Sequence, residues 1–148
     1  MSTANAPDDL NQKRDKWLER LSSLMALIEE GAEQHGWSVR RIAKQMKNGQ
    51  PVTYEAPSLI LQFEFARVLV EPIAMDAPGT EGIVDLYLMP AYDDMASIYF
   101  YGEGWHIHYM FPGDPNVASI REAEGKQLSK ETLVEVLDEI KKNAAQAR

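Results

Sequence analysis

The chain has no cysteine among its 148 residues. That excludes a disulfide framework, a thiolate nucleophile, a CxxC redox pair and a cysteine-based zinc site. Long apolar runs are missing too: no stretch approaches the roughly 18 residues a membrane span needs. The start, Met-Ser-Thr-Ala-Asn-Ala-Pro-Asp-Asp, lacks a basic region followed by an apolar one, so it does not read as a secretory signal. A cytoplasmic setting is the expectation. The P-loop and dinucleotide glycine patterns, the GxSxG elbow and the HExxH zinc pair are all absent. No cofactor is implied.

Basic residues are scarce in one place. Lys plus Arg is 15 against 23 for Asp plus Glu, a formal charge of −8. Residues 51–113 hold a single basic side chain, Arg67, against nine acids: Glu55, Glu64, Glu71, Asp76, Glu81, Asp85, Asp93, Asp94 and Glu103. The flanking segments are nearly neutral. Phosphate binding is driven by cations, so this balance argues against a nucleic-acid partner. The one basic cluster is Arg40, Arg41, Lys44 and Lys47, read as a solvated face that pairs with the acids.

What is present is enough for a core. Hydrophobic residues make up 45% of the chain, too many for disorder. Residues 1–7 read as a loose flexible tail, and 8–148 as a single α+β domain. Asp8 or Asp9 is the expected cap of a helix over about 8–34, where Trp17, Leu18, Leu21, Leu24, Met25 and Ile28 share one stripe. Gly36 suits the position after its end. Residues 37–47 fit a strand better than a second helix. From Pro51 to Pro112 alternation and closely spaced turns indicate an antiparallel β-meander. Leu59, Leu61, Phe63 and Phe65 form one alternating set. Ile83–Met89, Ala96–Tyr101 and Trp105–Phe111 are further strands. Ser129 reads as the N-cap of a helix over about 130–145, with Leu133, Val136, Leu137, Ile140 and Ala144 as its stripe. The expected fold is therefore α+β: an antiparallel meander of about five or six strands, flanked by a long N-terminal and a C-terminal helix.

The hairpin 96–111 carries the chemistry. A two-residue turn at Glu103-Gly104 would set Tyr101 opposite His106 and Tyr99 opposite His108. Ile98, Phe100, Trp105, Ile107, Tyr109 and Phe111 then share the core face. Tyr99, Tyr101, His106, His108 and Met110 share the other, because strand side chains alternate. With Val84, Leu86 and Leu88 inward, Asp85, Tyr87 and Met89 join this second face, and Gln62, Glu64 and Glu71 extend it. The expected binding face is thus Asp85, Tyr87, Tyr99, Tyr101, His106 and His108. His106 and His108 are also the only metal-like spacing, and Asp85 would supply an oxygen ligand, but no third ligand is fixed by the sequence.

Tyrosine beside carboxylate suits a protein contact surface. The leading reading is a small acidic, non-enzymatic protein-binding module, chaperone-like or immunity-like. Its partner is another protein, with basic side chains. Neither nucleic acid nor membrane is a partner, and a homodimer is compatible. One alternative is a metal-assisted or acid–base enzyme centred on His106, His108 and Asp85; another is a small-molecule-binding protein.

Overall fold

The computed structural model describes residues 5–47, 49–109 and 124–146. In chain order these form α1 (Asn5–Gln34), β1 (Ser38–Met46), β2 (Tyr54–Phe63), β3 (Ala66–Ala74), β4 (Ile83–Leu88), β5 (Asp93–Tyr101), β6 (Gly104–His108), β7 (Gly125–Gln127) and α2 (Lys130–Gln146). The seven strands make one antiparallel sheet in sequential order. The α+β meander stands as expected, with one strand more. The extra strand, β7, pairs with β6 from His106↔Gln127 to His108↔Gly125. Its three residues, Gly-Lys-Gln, carry no hydrophobic alternation from which to read it.

Both helices pack on one side of the sheet. Trp17, Leu21, Leu24, Met25 and Ile28 of α1 and Leu133, Leu137 and Ile140 of α2 are buried against Leu59, Leu61, Val68, Val70, Val84, Leu86, Ala96, Ile98 and Ile107. Each fully buried Leu or Ile contributes about 1.5–3 kcal/mol of transfer free energy. The helices touch where Gly31 faces Leu133: a Cβ on Gly31 would lie 3.0 Å from its Cδ2.

The helix ends are closed by local chemistry. At the end of α1, Trp37 N–H donates to Ala32 O and Gly36 N–H to Glu33 O. Gly36 has φ +86°. This is the 6→1 and 5→2 pattern of a Schellman motif, whose left-handed residue glycine accommodates. Ser129 caps α2 as expected: Thr132 N–H donates to Ser129 Oγ at 3.2 Å, and Ser129 N–H to Thr132 Oγ1 at 2.8 Å. α1 begins at Asn5, so Asp8 and Asp9 lie inside the helix and do not cap it.

Two turns differ from expectation. Phe63 pairs with Ala66, so Glu64 and Phe65 form the β2–β3 turn. Phe65 is 65% exposed there and leaves the strand's alternating set. Glu64, with φ +52°, does not extend the outer face. Tyr101 pairs with Gly104, so the β5–β6 turn is Gly102-Glu103, with φ +57° and +66°. Two positive φ values identify a type I′ turn, whose twist matches that of the flanking strands. The register therefore slips by two from the expected one. Tyr99 opposes His106, and Ser97 opposes His108. A slip of two preserves every face, because the side-chain period is two. Met110 and Phe111 lie outside the described residues. No described helix is long and apolar enough to cross a membrane.

Candidate functional site

The face of the sheet away from the helices is assembled by register. Glu71 on β3, Asp85 on β4, Ser97 on β5, His108 on β6 and Gly125 on β7 are successive cross-strand partners and form one row. Ile83, Tyr99, His106 and Gln127 form the neighbouring row. Tyr87 stands two residues beyond Asp85, opposite Leu69 and Asp94. The six expected residues therefore share this face, and all six are half-buried.

They divide into two networks. In the first, Ser97 Oγ donates to Asp85 Oδ1 at 2.7 Å and Tyr87 OH donates to Asp85 Oδ2 at 3.0 Å. Burial raises the Asp85 pKa above the ordinary carboxylate value, an effect that the two hydroxyl donors oppose and that Asp94 and Glu71 reinforce. Burial, with the charge of Asp85 next to it, pushes the Tyr87 phenol well above its ordinary value, so it remains a donor. Beyond Asp85 in the row, Glu71 pairs with Lys44 of β1 at 2.7 Å, and Lys44 also donates to Pro72 O at 2.7 Å. The basic cluster is thus partly spent within the fold, since Arg41 likewise bonds Glu29 at 2.6 Å.

The second network is aromatic. Tyr101 lies flat on His106, with centroids 3.9 Å apart and planes at 11°. Its hydroxyl reaches His108 Nε2 at 3.2 Å. Tyr99 meets His108 edge to face at 4.9 Å and 87°. Tyr101 can cross β6 in this way because Gly125 has no side chain. A Cβ there would fall 2.5 Å from both Tyr101 Oη and His108 Nε2. Sequence reading found the aromatic residues but missed Gly125. A glycine in a strand marks a close approach, but β7 has no side-chain pattern by which the sequence reveals it as a strand.

This arrangement limits the chemistry. His106 and His108 lie on one face, but Tyr101 covers the first and bonds the second. Among the described residues no three His, Asp or Glu side chains converge on a position that could hold a metal ion. Asp85 and His108 are separated by β5, two inter-strand steps or about 10 Å at Cα. The row order Asp85, Ser97, His108 does not make a nucleophile relay. That relay needs an imidazole between carboxylate and hydroxyl, whereas the Ser97 hydroxyl here gives its proton to Asp85.

The charge of the face also departs from expectation. Of the nine acids in 51–113, Glu71, Asp85 and Asp94 stand on its β3–β5 part. Arg40, Lys44 and Arg67, by strand alternation, stand on the same side. The remaining acids occupy turns and strand ends, and two of them pair with α1: Asp76 with Lys13, and Glu81 with Arg20 at 3.7 Å. Counting charge by segment does not report direction, which in a strand changes with every residue. Comparison with family models, with curated proteins and with solved structures finds no match.

Proposed function

We propose that the protein is a small, acidic, non-enzymatic protein-binding module, chaperone-like or immunity-like, whose outer sheet face takes a partner polypeptide. One observation carries this reading. The helices cover one side of the sheet, while the other side presents Tyr99, Tyr101, His106 and His108 as half-buried rings that hold one another in place, with the half-buried Tyr87 ring held beside them by Asp85. Rigid amphipathic rings lose little side-chain entropy on binding and dominate contact surfaces. Basic groups of the partner fit the β4–β5 half, where Asp85 and Asp94 lie beside the tyrosines.

Pull-down from host extract tests the reading, with captured proteins identified by mass spectrometry. Wild type and Asp138→Ala, a change on the far side of α2, are expected to capture the same partner. Tyr99→Ala/Tyr101→Ala, checked for folding by circular dichroism, is expected to bind it about 30-fold more weakly, as for loss of a hot spot worth about 2 kcal/mol. Equal capture by the double variant would remove this face from the function.

A further inference from the structure

One cleft opens on the outer face beside the aromatic network. It is lined by Pro78, Gly79, Thr80, Tyr99, Tyr101 and His108 and has a volume of about 140 Å³. Cofactor and drug-sized pockets span about 300–1,000 Å³, whereas a cavity of about 150 Å³ accepts a group the size of benzene. The cleft therefore has room for a single side chain.

Its walls are fixed before anything enters. His106 stacks on Tyr101, and His108 holds the Tyr101 hydroxyl and packs against Tyr99 with the two ring planes at 87°. The opposite rim is a tight turn: Ala77 and Thr80 exchange backbone hydrogen bonds of 3.1 and 3.0 Å around Pro78 and Gly79. Thr80 is buried, with Oγ1 placed 2.8 Å from Gly82 O and 2.9 Å from Phe100 O. Its hydroxyl is spent on holding the turn, which leaves the aromatic rings to recognise an entering group.

Tyrosine rings present negative π-faces, and these attract cations. The protein already uses that attraction elsewhere, with Arg20 Cζ 4.0 Å above the Phe100 ring and Lys141 Nζ 4.1 Å above Phe63. Guanidinium is planar and weakly hydrated, so it stacks on rings more readily than ammonium does. The net charge of −8 raises the concentration of cationic groups near the surface.

We infer that this cleft is the specificity pocket of the face and takes one arginine side chain of the bound polypeptide. The inference rests on the protein-binding reading and names the anchor within it.

The test is a ¹H–¹⁵N NMR titration of the full chain with acetyl-Gly-Arg-Gly-amide and its lysine and norleucine counterparts. The arginine peptide is expected to give saturable shifts at Thr80, Tyr99, Tyr101 and His108. The lysine peptide is expected to bind several-fold more weakly, and the norleucine peptide to leave these signals unmoved. Tyr99→Phe keeps the π-face and the response. Tyr99→Leu removes the face and weakens arginine binding about tenfold. No shift with the arginine peptide, or equal shifts with lysine or norleucine, would overturn the assignment, and the wild-type titration decides this even if Tyr99→Leu fails to fold. Either result leaves the pull-down standing as the separate measure of protein binding.

Discussion

Asp85 shows how a single residue links the face to the solution conditions. Its carboxyl is partly withdrawn from water, and burial outweighs the help of Ser97 and Tyr87, so its folded pKa lies above the ordinary 3.8. Between 3.8 and that raised value the native state holds a proton that the unfolded chain has released. Stability therefore falls as pH rises through the window, and the loss is complete above the folded pKa. Asp85→Asn removes the charge but keeps an oxygen for Ser97, and its amide can donate to the Tyr87 oxygen. The variant is expected to melt above wild type at pH 7 and level with it near pH 3.5, read by thermal denaturation at the two values. An amide variant less stable at pH 7 would show that the carboxylate is held favourably in its site. Asp85 was legible as a site residue because Val84, Leu86 and Leu88 mark the inward phase of β4. Its hydroxyl partner Ser97 was not, since a small polar residue in a strand carries no pattern of its own.

At the scale of the element, the β5–β6–β7 ribbon explains both what the sequence disclosed and what it withheld. Alternation alone assigned Tyr99, Tyr101, His106 and His108 to one face, and that survived a turn misplaced by one residue, which shifts the cross-strand pairing by two. Register was harder to read. Glu103 carries φ +66°, a conformation in which asparagine or glycine is expected; it stands in both Gly102-Glu103 and Glu103-Gly104, so its identity did not choose between the two turns. β7 is held mainly by its main-chain pairing with β6, and main-chain pairing has no side-chain signature. Gly125 is nonetheless the residue that lets Tyr101 cross β6. Gly125→Ala forces both the Tyr101 hydroxyl and the His108 ring to move, by about an ångström. The expected loss is about 1–3 kcal/mol, the usual range for overpacking, read from urea denaturation. The His108 ring signals are expected to shift at the same time. An alanine variant with unchanged stability and an unchanged His108 spectrum would mean that Tyr101 does not lie across β6 as described.

The whole molecule is governed by where its surplus of acid lies. The segment count placed all the excess in 51–113, which suggested a negative sheet. In three dimensions the acids are divided among the outer face, the turns and the cations of α1, and the outer face carries matching Arg40, Lys44 and Arg67. The ion pairs themselves add little, because most have a partner that is about half exposed, and such pairs contribute about 0–1 kcal/mol. Unlike these short-range pairs, the residual −8 acts across the molecule as self-repulsion. Raising sodium chloride from about 10 mM to about 100 mM shortens the screening length from about 30 Å to about 10 Å. That weakens long-range repulsion more than contacts at 3–4 Å, so the urea midpoint is expected to rise with salt. Asp93→Asn/Asp94→Asn removes two charges from the crowded start of β5 and one of the neighbours that disfavours the Asp85 carboxylate. The double variant is therefore expected to have a higher midpoint than wild type in low salt and to gain less from added salt. A wild-type midpoint that falls as salt is added would reverse this ordering, making the close ion pairs the dominant electrostatic term and the surplus acid a minor one.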